Sequence, residues 1–221
     1  MKRSYHRDLI QGSDEWHEIR VGRLTSSTLG AFIFTKGKDD LGLGATLIPH
    51  LDKVASEVYT QTTDDSDFEN DSMARGKALE KEAIELYEMD RFVTVEDVGF
   101  VECGLYLGDS PDGLIGVDGC AEVKCRKLHL HYAMIKAIKS GEPFKMPAKD
   151  KAQCFWHMFI CERKWCDYMS YHPDFPENQR LAVIRLEMTP EILEALTLKG
   201  QNIDKYISQS LQIVGSNIIA A

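Results

Sequence analysis

The 221-residue sequence lacks several features that mark specialised classes of protein. It has no run of about 18 apolar residues, which excludes an ordinary transmembrane helix. No apolar stretch follows the basic residues at its start, so we expect no secretory signal and a cytoplasmic location. None of its 6 cysteines lies in a C-x-x-C pair. We therefore expect reduced thiols, and the sequence gives only weak support for a zinc site.

The composition that remains is typical of a globular domain. Hydrophobic residues make up 43% of the chain and charged residues 28%. A chain of this length can form a core without disulfides or a structural metal. We predict a single domain over residues 1–221, with a core at about 14–188 and a C-terminal helix at about 189–210.

Charge is distributed unevenly along the chain, whose net charge is -9. Residues 39–120 carry five basic and twenty acidic residues, whereas residues 121–164 carry ten basic and four acidic ones. Because phosphate contacts depend on local potential, the acidic total does not exclude DNA binding. The acidic run at 64–71 is similar to part of a calcium loop, but Asn70 replaces the turn glycine and no glutamate stands at the twelfth position. We expect no calcium there.

Hydrophobic periodicity and capping residues predict a mixed α/β protein. Helices are expected at about 14–20, 26–33, 49–59, 74–90, 129–139 and 149–162, and from Pro190 onward. Strands are expected between 92 and 107 and at about 114–117, 121–125, 168–171 and 181–186. Asp118-Gly119 is the clearest hairpin turn. This order of elements predicts a central mixed β-sheet flanked by helices.

The hairpin carries a group of residues whose side chains are suited to metal binding and catalysis. Glu122 and Lys124 are two residues apart on one strand, so their side chains share a face. Asp112 stands just before the partner strand, and hairpin pairing would bring it close to Glu122. Two carboxylates beside a lysine suit Mg²⁺, which polarises a phosphoryl oxygen and activates water. Lys124 could orient that water or stabilise charge on the phosphate. The alternative is a surface salt bridge of little consequence.

The pattern Ser110-Pro111-Asp112, nine residues, then Glu122-Val123-Lys124 resembles the PD-(D/E)xK nuclease superfamily. A wider set of segments, in the same order and at similar spacing, resembles the lambda-exonuclease (YqaJ-type) viral recombinase family. These segments are 16–22, 25–27, 75–80, 110–114, 122–125 and 152–153. Several motifs in order are far more specific than one short acid–lysine motif. The resemblance implies a restriction-endonuclease-like fold, with a central mixed β-sheet flanked by helices.

Six positions match the catalytic centre of that family: Glu80, Asp112, Glu122, Val123, Lys124 and Gln153. The resemblance implies that the two hairpin carboxylates and the Val123 carbonyl bind the metal, and that Lys124 is the catalytic lysine. It implies that Glu80 binds metal or positions water, and that Gln153 contacts the metal-bound water. Without the resemblance, Glu80 and Gln153 would be ordinary solvated residues.

Five further positions match the DNA-binding residues of the family: Arg20, Ser27, Ser110, Lys36 and Lys38. The first three match the pocket for a terminal 5′-phosphate, and the two lysines lie in a loosely aligned loop that reaches into DNA. Ser27 is also expected at a helix N-terminus, which attracts anions, and Arg20 offers a planar guanidinium for phosphate. Considered alone, Ser27 would be an ordinary helix cap and Arg20 a surface charge. The sequence departs from the family where an aromatic residue is replaced by Asp150 or Lys151.

The resemblance implies a Mg²⁺-dependent exonuclease, with Mn²⁺ as a substitute. It would degrade one strand of duplex DNA 5′ to 3′ from a phosphorylated end, releasing mononucleotides. It also implies a homotrimeric ring, a single-strand annealing partner, and a phage or prophage protein acting in the cytoplasm of a bacterial host. Two alternatives stay open: a PD-(D/E)xK endonuclease that cuts internally, and a non-catalytic protein that binds DNA ends during recombination.

Overall fold

The computed structural model describes residues 1–29, 33–34, 36–63 and 71–215, with the main chain only at 71–75. The acidic run considered above for calcium therefore lies outside the described side chains. The helices in the described part are α1 (Asp14–Arg20), α2 (Ser26–Leu29), α3 (Ile48–Thr60), α4 (Asp71–Arg91), α5 (Leu128–Ser140), α6 (Ala148–Ile160) and α7 (Pro190–Gly215). The strands are β1 (Arg3–His6), β2 (Val95–Glu96), β3 (Phe100–Cys103), β4 (Leu107–Asp109), β5 (Gly113–Ile115), β6 (Gly119–Cys125), β7 (Trp165–Tyr171) and β8 (Leu181–Glu187).

Several helix ends follow from local chemistry. The Ser13 side chain accepts a hydrogen bond from the Trp16 backbone N–H at the start of α1. The Thr189 hydroxyl accepts one from the Ile192 N–H at the start of α7, and Pro190 occupies the first position, where no N–H is needed. Gly141 ends α5 in the left-handed conformation that glycine adopts without strain. The predicted positions of these helices are confirmed.

The central mixed sheet predicted from the sequence is confirmed, and a second, smaller sheet accompanies it. The larger has the order β2-β5-β6-β7-β8, in which only the β6–β7 pair is parallel. The smaller has the order β1-β3-β4 and is antiparallel. β1 was not predicted from the sequence, and it is held by pairing with β3. The strand expected at Leu105 begins only at Leu107, because Asp204 of α7 accepts the N–H groups of Leu105 and Tyr106.

Helices cover both faces of the five-stranded sheet. α6 packs against β6 and β7 and also reaches β3 and β4 of the smaller sheet. α4 also packs against β6 and β7, where Ala83 and Tyr87 join Ala121 and Val123 in a second hydrophobic cluster. Cys120 belongs to the main core with α6. Alternate residues of β6 therefore face different helices, and the strand that carries the candidate site is held on both sides.

Two further expectations can be compared with the fold. All six cysteines are free; five are buried, and Cys125 is partly exposed. None of the described helices combines the length and apolar character needed to cross a bilayer.

Candidate active site

The β5–β6 hairpin brings the predicted metal ligands together. Gly113 pairs with Ala121, which places Asp112 beside the next residues of β6. The Asp112 Oδ2 atom accepts a hydrogen bond of 2.5 Å from the Val123 N–H. Glu122 is fully buried, and its Oε1 atom is ion-paired with Lys124 Nζ. The carboxylates of Asp112 and Glu122, the Val123 main chain and the Lys124 ammonium are therefore neighbours at this end of the hairpin.

Glu80 joins this group from α4, as the electrostatics of the carboxyl groups indicate. Burial, then the charges of Glu122 and Glu80, raise the pKa of Asp112 well above its usual range. Burial first, and Glu122 second, raise the pKa of Glu80 to about 7. Burial would raise the pKa of Glu122, but Lys124 and His157 lower it below its usual value. Three carboxyl groups therefore share a desolvated region with Lys124, and Lys77 also acts on Glu80.

The lysine is held in its charged form. Burial would lower the pKa of Lys124, but Glu122 and Asp112 outweigh it and raise the pKa above the usual value. Lys124 acts on all three carboxyl groups, yet burial and mutual repulsion still raise the pKa of Asp112 and Glu80. The Oε1 atom of Glu122 has no hydrogen-bond partner beyond its ion pair with Lys124. An excess of hard oxygen donors fits a divalent cation such as Mg²⁺.

The candidate metal site supplies only some of the ligands that a metal ion needs. Among the residues that the structure describes, no three His, Cys, Asp or Glu side chains form a ready-made metal cluster. Mg²⁺ is usually held by one or two carboxylates together with water and substrate phosphate. The neighbouring carboxyl groups of Asp112 and Glu122 fit that kind of incomplete protein site, and the Val123 carbonyl stays a predicted ligand.

A buried histidine that the sequence reasoning did not identify lies behind Glu122. His157 of α6 is completely buried, and its Nε2 atom is 2.5 Å from Glu122 Oε2. Its Nδ1 atom is 2.5 Å from Asp109 Oδ2 at the end of β4. Burial would lower the pKa of His157, but Asp109 and Glu122 raise it well above its usual value. A signal was available, since His157 follows Gln153 by four residues and so lies on the same face of α6.

Ser110 and Arg20 are connected through Trp16. The Ser110 hydroxyl accepts a 2.9 Å hydrogen bond from Trp16 Nε1 and donates one of 2.7 Å to the Gly99 carbonyl. The guanidinium of Arg20 stacks over the Trp16 ring at 4.0 Å. Trp16 therefore forms part of the wall between two predicted phosphate-binding residues.

A cavity of about 100 Å³ opens beside Arg20. Its lining is mainly polar and includes the basic residues His17, Arg20, Arg23, His50 and Lys53. The acidic Glu57 also borders it, and that carboxylate accepts hydrogen bonds from the Gly22 N–H and the Thr63 hydroxyl. A concentration of cationic side chains suits a phosphate group. Ser27 and Ser110 lie outside this lining.

Ser27 is exposed on α2, and its hydroxyl is 2.9 Å from Thr25 Oγ1. Ser26 donates from its hydroxyl to Asp109 Oδ1 at 2.7 Å. This contact brings the Ser26-Ser27 segment next to Asp109-Ser110. The described part of α2 is Ser26–Leu29, and residues 30–32 lie outside the described part. The dipole argument made from the sequence therefore stays a prediction.

The remaining predicted site residues are Gln153, Lys36 and Lys38. Gln153 is partly exposed on α6, one turn before His157. Lys36 and Lys38 are exposed in a loop ordered by Asp39, whose carboxylate accepts the N–H groups of Leu43 and Gly44. That loop packs on α7 and not on the hairpin, through Lys199 and Asn202.

Asp150 stands near the position where the family pattern has an aromatic residue. It is buried, and its carboxylate accepts hydrogen bonds from Arg126 and from the Tyr168 hydroxyl at 2.8 Å. The departure from the family pattern is therefore an ion pair between α6 and Arg126, just after β6, together with a hydrogen bond from Tyr168 of β7.

Known protein structures with similar folds include two exonucleases. An alkaline exonuclease from Laribacter hongkongensis is 25% identical, with a TM-score of 0.71 over 91% of this chain and 96% of that chain. Its complex with dAMP gives the same values. A phage-related exonuclease from Haemophilus somnus is 15% identical, with a TM-score of 0.62 over 87% of this chain and 96% of that one, and supports the fold alone. No curated protein sequence matches.

These neighbours show that the fold is restriction-endonuclease-like, with a mixed sheet and flanking helices. The model of the YqaJ-like viral recombinase domain matches residues 15–164. This match spans the hairpin, α4, α6 and the segment with Arg20 and Ser27. The chain belongs to the YqaJ-like viral recombinase family.

Proposed function

We propose that this protein is a Mg²⁺-dependent exonuclease that degrades one strand of duplex DNA in the 5′-to-3′ direction. It starts from a 5′-phosphorylated end and releases mononucleotides during recombination. The observation that carries the proposal is the convergence of Asp112, Glu122 and Lys124, with Glu80 close by, at one end of the hairpin. Family membership and the exonuclease activity named for the structural neighbours support a nuclease role.

Asp112, Glu122 and the Val123 carbonyl are the proposed metal ligands, with Glu80 as a further acid. When bound, Mg²⁺ supplies Lewis-acid stabilisation of the charge that develops on the phosphodiester and favours ionisation of water; Mn²⁺ can substitute. Lys124 stays protonated because of its carboxylate neighbours. Its role is therefore to orient water and stabilise charge, not to remove a proton.

Two residues are proposed to handle the attacking water. Glu80 has a pKa of about 7, so it can exchange a proton near neutral pH. Gln153 extends from α6 and offers an amide that can hydrogen-bond the water. In-line attack by this water breaks the bond to the neighbouring nucleotide and leaves a 5′-mononucleotide.

Recognition of the DNA end is proposed for the basic side of the site. Arg20, Ser27 and Ser110 hold the terminal 5′-phosphate, supported by the basic cavity beside Arg20. Lys36 and Lys38 contact the DNA backbone. We also propose a homotrimeric ring that encloses the duplex, and a single-strand annealing protein as the partner that receives the exposed strand.

The test uses a blunt duplex with 5′-phosphates, labelled at one end or the other, in Mg²⁺. Wild-type protein should release labelled mononucleotide first from the 5′ end, and more slowly when the end carries a hydroxyl. Asp112→Ala should lower the rate about 100-fold or more, because loss of a metal ligand removes several kcal/mol of transition-state stabilisation. The matched control is Asp118→Ala, which alters the exposed turn of the same hairpin and its ion pair with Lys164 and should keep near-normal activity.

Three outcomes would contradict the proposal. Full activity of Asp112→Ala would refute the proposed metal centre. Cleavage of covalently closed circular duplex would indicate an endonuclease, because an end-dependent enzyme cannot start on a circle. Binding to duplex ends with no nucleotide release would indicate the non-catalytic alternative.

A further inference from the structure

The contacts of Glu122 are divided between its two carboxylate oxygens. Oε1 is ion-paired with Lys124, whereas Oε2 lies 2.5 Å from His157 Nε2. His157 and Glu122 are both fully buried. Oε2 is therefore fixed by the imidazole, and Oε1 is the oxygen that faces the candidate metal centre.

His157 is itself held from its other side. Its Nδ1 atom is 2.5 Å from Asp109 Oδ2, and Asp109 is 1% exposed. The other oxygen of Asp109 accepts hydrogen bonds from the Ser26 hydroxyl at 2.7 Å and the Ser26 N–H at 3.3 Å. The imidazole therefore has its ring plane and position set by three segments of the chain: α2, β4 and β6.

We infer that His157 is a positioning residue that fixes Glu122 in the orientation needed to present one oxygen to the metal. This inference rests on the proposed metal centre. Histidine–carboxylate pairs that orient a metal ligand from behind change metal affinity about 10- to 100-fold when disrupted. The alternative is that His157 only fills space and balances charge in the core, in which case the identity of the carboxylate it contacts would not matter.

Two substitutions separate these possibilities. In His157→Gln the amide nitrogen reaches about as far as Nε2, so it can still donate to Glu122 while the contact with Asp109 is lost. In His157→Asn the amide nitrogen reaches about as far as Nδ1, so it can still donate to Asp109 while the contact with Glu122 is lost. Both variants are neutral, so both remove the same positive charge and differ in which carboxylate is held.

The readout is Mn²⁺ binding to the full chain without DNA, measured by titration calorimetry, with folding checked by circular dichroism. We expect His157→Asn to bind Mn²⁺ at least about 10-fold more weakly than His157→Gln. The Mg²⁺ concentration for half-maximal nuclease activity should rise in the same order. Equal Mn²⁺ affinities in the two folded variants would overturn the inference.

A second measurement on the wild-type protein covers the case in which a variant does not fold. With ¹⁵N-labelled histidine, a slowly exchanging ring N–H signal should shift during a Mg²⁺ titration, with the same midpoint as a calorimetric titration of the wild-type protein with Mg²⁺. Absence of such a shift at saturating Mg²⁺ would also overturn the inference. If the wild-type protein neither binds Mn²⁺ nor digests DNA, both the proposed function and this inference are refuted. Normal wild-type binding and activity, with no difference between the variants, would remove this inference alone.

Discussion

The Glu80 carboxyl group has a cost to stability that can be worked out from its surroundings. Burial first, and Glu122 second, raise its pKa from 4.5 to about 7. That rise corresponds to about 3 kcal/mol of unfavourable free energy in the ionised form. In the folded state the group holds its proton to higher pH than in the unfolded chain. Stability is therefore lost as the pH rises from about 4.5 to 7 and the loss is complete above that range.

Replacing Glu80 by glutamine should remove this cost and stabilise the protein in EDTA. The gain in the free energy of unfolding should be about 1 kcal/mol at pH 5 and about 3 kcal/mol at pH 8. Nuclease activity in Mg²⁺ should fall at the same time, because a proposed metal-centre acid is lost. A gain in stability combined with a loss of function is typical of a strained active site.

Urea denaturation followed by tryptophan fluorescence, in EDTA at pH 5, 6.5 and 8, measures the effect. Glu85→Gln is the matched control, since Glu85 is exposed on the same helix; it should change stability by less than about 0.5 kcal/mol. If Glu80→Gln is no more stable than wild type at pH 8, or if its advantage does not grow with pH, the electrostatic reasoning about the cluster is wrong.

Two further expectations concern the frame around the site. An alanine Cβ at Gly99 would lie 2.0 Å from the Leu9 carbonyl oxygen. Gly99→Ala should therefore destabilise the fold by about 1–3 kcal/mol in urea denaturation. At Gly76 of α4 an added Cβ meets no described atom within 4 Å, so Gly76→Ala should stabilise the fold by up to about 1 kcal/mol. The pKa of His131 is lowered, chiefly by burial, so the stability that its neutral form provides is present above about pH 6.5 and declines below it. In urea denaturation, wild type and the exposed-site control His129→Gln should lose this stability between pH 7.5 and pH 5.5. His131→Gln should lack this loss.

Much of the fold could be predicted from local signals. Helices with clear caps or a strong 3.6-residue period were placed within a few residues, as for α1, α3 and α7. The hairpin itself was predicted from Asp118-Gly119 between two apolar runs, but the position of its turn was wrong. The turn is at 116–118, and Gly119 already pairs with Ile115 as the first residue of β6. These elements are determined by residues close in sequence, which is why a single sequence was sufficient.

Elements that depend on distant partners were missed. β1 has only one aromatic and no β-branched residue in its four positions, and it exists because β3 pairs with it across about a hundred residues. The division into two sheets likewise depends on which strands pair, a choice that no short window of sequence records. The start of β4 is decided by Asp204, a residue of the last helix.

The candidate site shows the same division between local and distant determinants. Asp112, Glu122 and Lys124 could be proposed together because a tight hairpin turns sequence spacing into spatial proximity. His157 was not proposed with them, because it is 35 residues from Glu122 and 48 from Asp109, and its spacing from Gln153 on α6 was the one available signal. A motif therefore identifies the groups that would touch a substrate, whereas the groups that hold them in place emerge only when the helices pack against the sheet. For that reason, the exchange of one buried amide for another at position 157 is a sharper test of the site than removal of any residue in the motif.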